Sequence, residues 1–182
     1  MLVAAPTITE YTWDRVPEIL DSAKNLGFEY ININYPTQSL SKTFQIGGEG
    51  TSFISLTPEQ TIYSMKSLLN HMDSSNEPFI LNPEESVQNM IKFLQDPQTV
   101  DYHCLGGWQV FAIDWFCDVY PCWRSDEKLG SMLDPSFKLK KRKHNACTMS
   151  WFRDFSVVFQ DRGRIAFNYL RSGKFDRIKA TL

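Results

Sequence analysis

The sequence predicts a mixed α/β fold, and three stretches of the chain lead to that prediction. Residues 2–35 contain a strand, a helix and a second strand with short links, which is the pattern of a βαβ unit. Residues 102–122 contain a β-hairpin pattern and three of the four cysteines. The dense apolar stretch after Ser150 predicts one or two closing helices. With 182 residues, of which 42% are hydrophobic and 22% charged, the chain is long enough for one good core.

The predicted βαβ unit begins with an apolar strand over residues 2–9. A helix is predicted from Trp13 to Leu26 because apolar residues recur there at helical spacing, and Gly27 is a typical terminating residue. Pro17 fits only in the first turn, so the helix would then start at Asp14. The β-rich residues 28–35 follow at once. Because such a unit is right-handed with short links, its two strands should be parallel.

Two further helices are predicted in the middle of the chain. Thr57-Pro58-Glu59-Gln60 is a capping box with proline at the first helical position, and it opens a helix to about Met72. Residues 79–81 are apolar and predict a short strand. Asn82 precedes a proline and two glutamates, which is typical of a helix start, and this helix should reach Leu94.

The hairpin is predicted from its own alternation of apolar and turn residues. The run 108–113 predicts a strand, residues 114–118 a turn, and residues 119–121 a returning strand. A hairpin of this form brings Cys122 near Cys104, so it favours a site for a soft ligand.

Three interpretations compete for the cysteines. A buried cysteine is often only a small hydrophobic residue. Disulfides are the second interpretation, but residues 1–5 lack the basic region of a secretory signal peptide. Metal or cluster ligation is the third, because thiolates suit zinc and iron–sulfur clusters, and His144 and Cys147 would add further ligands. The spacing is neither C-x-x-C nor that of a zinc finger, so by itself it leaves these alternatives open.

Composition argues against several classes of function. A formal net charge of −2 gives no field that would select nucleic acid or an anionic membrane, and the basic run 138–143 is most simply a solvated loop. No apolar run approaches the length of a membrane span. No G-x-S-x-G or H-E-x-x-H pattern supports hydrolysis, and Asp114 and Asp118 are typical turn residues. We therefore expect a cytoplasmic protein that binds neither nucleic acid nor membrane.

The phrase F-A-I-D-W-x-x-D-V-Y-P-C, which ends at Cys122, and the later step Leu129-Gly130 form a recognisable pattern. This segment resembles the auxiliary-cluster domain of radical SAM enzymes, called the twitch domain or, in its longer form, the SPASM domain. The pattern of that family is a cysteine, about a dozen residues, a glycine, four residues and a cysteine. Cys104 and Cys122 match the two flanking cysteines.

The resemblance implies an auxiliary 4Fe–4S cluster with Cys104, Cys122 and Cys147 as ligands. Cys117 stands where the family usually has the turn glycine, so it is an additional thiol and only a secondary candidate ligand. The later C-x-x-C of the family appears here as His144-x-x-Cys147. His144 is therefore the candidate for the fourth ligand, since imidazole can replace thiolate on iron. A solvated histidine, or an open fourth iron that binds substrate, are the alternatives.

The strand end Thr7-Ile8-Thr9, the phrase A-K-N-L-G-F over residues 23–28 and the strand end Tyr35-Pro36 form a second pattern. They resemble the last strands of a radical SAM partial barrel. The resemblance implies that residues 1–100 are the C-terminal portion of such a barrel with linking helices, and that residues 101–182 are a twitch- or SPASM-like cluster-binding domain. It also implies that four polar residues lie near the edge that lines the SAM and substrate pocket: Thr7, Thr9, Asn32 and Asn34.

One motif of that family is missing. Radical SAM enzymes hold the cluster that cleaves SAM with C-x-x-x-C-x-x-C, and the four cysteines of this chain do not form that triplet. The resemblance thus implies a C-terminal fragment or subunit that cannot cleave SAM alone and needs a missing N-terminal half or a partner chain. S-adenosylmethionine would be a cofactor of the complete enzyme only, and its substrate, a peptide or a small molecule, is unspecified. The alternative is a non-catalytic interaction module that binds an iron–sulfur cluster or zinc.

Overall fold

The computed structural model describes residues 2–36, 56–74, 79–99, 103–142, 144–145, 150–160, 163, 167 and 170–171. Within these residues the fold is mixed α/β, as the sequence predicts. The helices are α1 (Val16–Asn25), α2 (Pro58–Ser74), α3 (Glu84–Gln95) and α4 (Ser150–Gln160). The strands are β1 (Val3–Ala4), β2 (Tyr30–Ile31), β3 (His103–Cys104), β4 (Ala112–Ile113), β5 (Asp118–Tyr120), β6 (Gly130–Ser131) and β7 (His144–Asn145). A 3-10 turn, Pro97–Thr99, follows α3.

The N-terminal half is built on parallel strand pairing. β1 and β2, linked by α1, pair in parallel with Val3 opposite Tyr30, so the predicted strand direction is confirmed. A parallel bridge between Ile31 and Ile80 places a third segment of the chain beside β2. There the N–H of Ile31 donates to the Phe79 carbonyl at 2.8 Å, and the N–H of Leu81 donates to the Ile31 carbonyl at 2.8 Å.

Helix α1 starts later than the apolar spacing predicts. It begins at Val16 and not at Trp13 or Asp14, because Pro17 has no N–H and its ring would clash with the carbonyl four residues earlier. The Trp13 carbonyl instead accepts a hydrogen bond from Ser64 Oγ at 2.5 Å, which ties this turn to α2.

The C-terminus of α1 is closed by Gly27, as predicted. Gly27 has φ +83°, and its N–H donates to the Lys24 carbonyl while the N–H of Phe28 donates to the Ala23 carbonyl. This pair of hydrogen bonds is a Schellman motif, which satisfies carbonyls that the helix end would otherwise leave unpaired.

The start of α2 confirms the predicted capping box. The N–H of Thr57 donates to Gln60 Oε1 at 2.9 Å, and the N–H of Gln60 donates to Thr57 Oγ1 at 3.2 Å. The helix then runs to Ser74, slightly beyond the predicted end. Helix α3 also starts where the sequence predicts, at Glu84, but the Asn82 side chain makes no capping hydrogen bond to it.

One hydrophobic core fills the space between α1, α2, α3 and the parallel strands. Its buried members come from the three helices and from the strands and their flanking residues: Ile8, Val16, Leu20, Ile31, Ile33, Leu68 and Met90. Helix α4 packs against α3 at the edge of this core.

The predicted hairpin is present, with a shorter first strand. β4 and β5 pair antiparallel with Ala112 opposite Tyr120, and β6 joins β5 on its other side. The predicted strand 108–113 is wrong at its start, because the Leu105 carbonyl accepts hydrogen bonds from the N–H groups of Trp108, Gln109 and Val110. This tight turn is compatible with Gly107, whose φ is +75°.

None of the helices within the described ranges combines the length and the apolar character needed to cross a membrane.

Candidate metal centre

Cys104 is the buried end of a very short strand. Only 1% of its surface is exposed, and its Sγ accepts a hydrogen bond from the N–H of Gly106 at 3.4 Å. The chain turns directly after the cysteine, which brings that N–H back to the sulfur. Such hydrogen bonds to sulfur stabilise a ligating thiolate and tune a bound cluster.

Cys122 repeats this local geometry at the end of the hairpin. It is 7% exposed, and its Sγ accepts a hydrogen bond from the N–H of Arg124, also two residues further on, at 3.4 Å. The two cysteines therefore share burial and the same backbone donor pattern. They are not linked in a disulfide.

Gly107 is the point where the segments that carry these cysteines meet. Its carbonyl accepts a hydrogen bond from the N–H of Arg142 at 2.6 Å. A Cβ placed on Gly107 would lie 3.1 Å from Pro121 Cβ and 3.1 Å from the Arg142 carbonyl oxygen. Pro121 directly precedes Cys122, so the segments that follow Cys104 and precede Cys122 are in contact.

The strand that follows Arg142 pairs with the strand of Cys104. In the antiparallel pair β3–β7, Cys104 lies opposite His144, and His103 lies opposite Asn145. The backbone thus brings position 144 beside position 104. Cys147 lies outside the described residues. Among the described side chains, no three His, Cys, Asp or Glu groups are arranged to hold a metal ion.

Cys117 lies at the opposite end of the hairpin from Cys122. Its φ is +62°, in the left-handed region that favours glycine, which agrees with its place in the glycine position of the family pattern. Asp114 Oδ1 accepts hydrogen bonds from the N–H groups of Phe116 and Asp118, each at 2.9 Å, and so closes the turn. The three-residue strand β5 lies between Cys117 and Cys122, and its length alone is about 10 Å.

Helix α4 contacts both cysteine segments, and sequence analysis did not identify its role. Ser156 Oγ accepts a hydrogen bond from the N–H of Leu105 at 2.9 Å, directly after Cys104. The ring of Phe152 packs edge-on against Trp123, directly after Cys122, with ring centroids 5.9 Å apart. The only sequence signal for these contacts is the apolar character of the stretch, because a serine in a helix does not reveal its distant partner.

A second group of polar residues joins α4 to the strand ends, and we call it the polar cluster: Asn32, Asn34, Asn82, Ser86, Ser150 and Asp154. Asn82 is its centre. Its Oδ1 accepts from the N–H of Ile33 at 2.7 Å, and its Nδ2 donates to Asn32 Oδ1 at 2.8 Å and to Asp154 Oδ2 at 3.2 Å.

The carboxyl group of Asp154 is held in this cluster with a raised pKa. Ser86 donates a short hydrogen bond to its Oδ1. Desolvation raises the pKa of Asp154 to about 7, and the hydrogen bonds from Ser86 and Asn82 and the charge of Arg153 oppose this shift. Burial is the dominant effect, so the neutral acid is favoured well above the ordinary range of an aspartate.

The four polar residues assigned to the pocket edge by resemblance make internal contacts. Asn34 accepts a hydrogen bond from Ser150 Oγ at 2.9 Å, and Thr7 forms a parallel bridge with Asn34. The N–H of Thr9 donates to Thr12 Oγ1 at 2.9 Å, and Asn32 contacts Asn82. Asn32 and Asn34 therefore belong to the polar cluster, whereas Thr9 belongs to a turn before α1.

Comparison with known proteins gives a likeness of fold. No protein-family model and no curated protein matches this chain. The chain is similar to a solved structure of native anSMEcpe with bound AdoMet, a radical SAM anaerobic sulfatase maturase. The TM-score is 0.50 and the identity 14%, over 93% of this chain and 56% of that chain. A second structure of the same protein, with bound AdoMet and the Cp18Cys peptide, gives a TM-score of 0.44 at 14% identity, over 94% of this chain and 57% of that chain.

The fold of this chain is thus similar to that of a radical SAM enzyme. The chain spans only 56% of the length of the anSMEcpe chain.

Proposed function

We propose that this chain is the C-terminal part, or a separate subunit, of a radical SAM enzyme, and that it binds an auxiliary 4Fe–4S cluster. The main supporting observation is the pair of buried cysteines, Cys104 and Cys122, each with a backbone N–H donating to its sulfur. Their segments meet at Gly107, next to the strand that leads to His144. The likeness of the fold to a radical SAM enzyme supports the class of protein.

The donor set fits an iron–sulfur cluster. Cys104, Cys122 and Cys147 would be the thiolate ligands, and His144 would be the fourth ligand. Cys117 is not assigned as a ligand, because it lies at the far end of the hairpin with its backbone in a strained conformation. When bound, the cluster would supply electron transfer or a Lewis-acidic iron near the substrate.

The residues around the cysteines would favour the negative charge of such a cluster. The N–H groups of Gly106 and Arg124 point at the two sulfurs, and hydrogen bonds to an anionic acceptor are stronger than those to a neutral one. Lys141 adds positive charge close by, with its Nζ 5.2 Å from the centre of the Trp108 ring, next to Gly107 in sequence. These groups would orient the ligands and lower the cost of bringing thiolates together.

SAM cleavage would need residues that the sequence does not contain. We expect no 5′-deoxyadenosine from the isolated chain after anaerobic reconstitution and reduction, because no C-x-x-x-C-x-x-C motif is present. Turnover by the isolated chain would contradict the proposal that a further chain segment supplies this chemistry.

The edge of β1 that faces away from β2 supports association with the chain segment that would supply SAM cleavage. The carbonyls of Leu2, Ala4 and Pro6 all accept hydrogen bonds from the β2 side, so the alternate residues Val3 and Ala5 direct their backbone groups to the other side. No described strand pairs there. A groove of about 600 Å³ lies between β1 and α1. An additional parallel strand with its helix would fill both features.

Hydrogen exchange tests this association. In the isolated, monomeric chain the amides of Val3 and Ala5 should exchange quickly, while those of Ile31 and Leu81, which are hydrogen-bonded in the interior, should be protected. Uniform slow exchange over residues 3–8 in a monomer would contradict an open edge.

Reconstitution with iron and sulfide tests the cluster. The wild-type chain should become brown and contain iron and sulfide, and Cys104→Ala, Cys122→Ala and Cys147→Ala should each bind much less iron. Cys117→Ala is the matched control and should bind as much iron as the wild type. His144→Ala decides whether the imidazole is a ligand. Loss of iron in Cys117→Ala but not in Cys122→Ala would show that the ligand assignment is wrong.

Metal analysis of the reconstituted chain also distinguishes the cluster-binding function from the alternative. A colourless protein that holds one zinc ion through the same cysteines would identify a zinc-binding interaction module, because Cys and His ligands also suit a closed tetrahedral zinc site.

A further inference from the structure

Helix α4 has two contact faces on opposite sides. Ser150 and Asp154 are four residues apart and share one face, while Phe152 and Ser156 share the other. At 3.6 residues per turn, the two pairs are separated by roughly half a turn around the helix axis.

The first face of α4 ends in the polar cluster. Asp154 accepts hydrogen bonds from Ser86 at the start of α3 and from Asn82, while Ser150 donates to Asn34 after β2. Because Asn82 also holds the backbone of Ile33 on both its N–H and its carbonyl, this face of α4 is joined to the ends of the parallel strands.

The second face of α4 supports both candidate ligand segments. Ser156 holds the N–H of Leu105, and Phe152 packs against Trp123. One turn further on, Gln160 accepts a hydrogen bond from the N–H of His103 at 2.9 Å. Any shift of α4 would therefore displace the residues on both sides of Cys104 and the residue after Cys122.

We propose that α4 couples the polar cluster to the cysteine site, so that loss of contacts on its Ser150–Asp154 face loosens the segments that hold Cys104 and Cys122. This inference deepens the proposed function, since it assigns a regulation to the same site. Asp154 is a positioning residue, because it acts on the cysteines only through the helix. The coupling is a property of the protein without its cluster.

Protonation of Asp154 is the physical input to this coupling. Its pKa lies near 7, so the carboxyl group changes charge within the neutral range. The surrounding groups are mostly neutral, namely Ser86 and Asn82, and the charged residue that acts on the carboxyl group is the neighbouring Arg153. On α3, Glu85 is the acidic neighbour of Ser86 in sequence, and its Oε2 is buried. Ionised Asp154 is therefore the less favourable state, and α4 should pack less firmly as the pH rises to about 7.

Hydrogen exchange of the metal-free chain tests the coupling, with rates corrected for the intrinsic effect of pH. In the wild type, protection of residues 103–110 and 122–125 should fall at least tenfold between pH 5 and pH 7. Asp154→Asn should remove this dependence, because the amide has nearly the same shape and stays neutral. Asp21→Asn is the control, since Asp21 is exposed on α1, and it should behave as the wild type.

A second variant separates coupling from a general loss of stability. Ser156→Ala removes the acceptor for the Leu105 N–H and should lower protection at residues 104–106 at every pH, while exchange at Ile33 stays unchanged. The inference is overturned if the cysteine segments keep the same protection across this pH range in the wild type, or the same pH response in Asp154→Asn. Because the measurement uses no iron, failure to bind a cluster would refute the proposed function and leave the coupling to be judged independently.

Discussion

The described residues between Ile8 and Leu94 share one contiguous hydrophobic core. By contrast, residues 103–142 bury few apolar side chains and expose several large ones. The core of the first region is formed by helices and parallel strands that meet through residues such as Leu20, Ile31 and Leu68. In the second region, Trp115 is 90% exposed, Phe116 75% and Leu133 74%. Its strands are two or three residues long and are held by turns and side-chain hydrogen bonds.

This difference indicates that the two regions gain stability from different sources. Burial of apolar surface accounts for the first region, at about 25 cal/mol per Å² removed from water. The second region has too little buried apolar surface to be stabilised in this way alone. A metal ion or cluster bound by Cys104 and Cys122 would therefore contribute to its folding. Substitutions in the two regions test this contrast.

A truncation in the core should cost far more than one at the hairpin side. Leu68 is fully buried, so Leu68→Ala should lower the free energy of unfolding by about 2–5 kcal/mol. Leu133→Ala removes the same atoms from an exposed position and should change it by about 0.5 kcal/mol or less. Chemical denaturation of the two variants measures both values. Equal losses would show that the second region has a core of its own.

The junction between the regions should respond to pH through Asp154. The pKa of its carboxyl group is about 7 in the folded chain against an ordinary value of 3.8. The contribution of this group to the free energy of unfolding is therefore fully present below pH 3.8 and is lost as the pH rises to about 7. The free energy of unfolding should therefore fall by roughly 2–4 kcal/mol across this range from this group alone. Denaturation curves of the wild type and Asp154→Asn at several pH values isolate the effect. An unchanged pH slope in Asp154→Asn would refute it.

Gly107 should be sensitive to substitution, because two segments meet at it. Gly107→Ala would place a methyl group 3.1 Å from both Pro121 and the Arg142 carbonyl, at φ +75°. We expect a loss of about 1–3 kcal/mol and a lower affinity for metal, because the segments around Cys104 and Cys122 would separate. Gly163→Ala is the control, since nothing lies within 4 Å of a Cβ there. Thermal unfolding and metal titration of both variants check this, and equal behaviour of the two would contradict the close contact.

The smallest effect should be a gain in stability at the hairpin tip. Cys117 adopts φ +62°, which costs a residue with a Cβ about 1–2 kcal/mol relative to glycine. Cys117→Gly should therefore raise the free energy of unfolding by about 1 kcal/mol without lowering iron content. Cys117→Ala keeps the Cβ and serves as the reference. A destabilised Cys117→Gly variant would indicate that the thiol makes a contact worth more than the backbone strain.

Local signals in the sequence predicted most of the first region. The capping box at Thr57 and Gln60 and the terminating Gly27 act through residues within one turn of the chain, so their pattern is sufficient. Asn82 was interpreted as a helix cap, but its amide is used by Ile33 and Asp154, which are 49 and 72 residues away. A propensity rule cannot foresee such partners, because they depend on how the elements pack.

The candidate site was predicted in part for the same reason. The cysteines stand out by residue type, and the turn around Cys117 follows from its neighbours Asp114 and Asp118. The burial of Cys104, the backbone donors to the two sulfurs and the contact at Gly107 arise only once distant segments meet. The support from Ser156 has no local signature at all.

Arg153 shows what fixes the position of α4 along its neighbour. Its side chain is fully buried, its Nη1 donates a short hydrogen bond to Asn89, and its guanidinium lies 5.2 Å from the centre of the Phe93 ring. Asn89 and Phe93 lie one turn apart on α3. Together they contact the guanidinium at one position along that helix. If α4 slid by one turn, about 5.4 Å, the charge would be separated from both partners inside the protein. Separating a buried charge from its partners costs about 3–5 kcal/mol, so α4 has a single permitted register on α3.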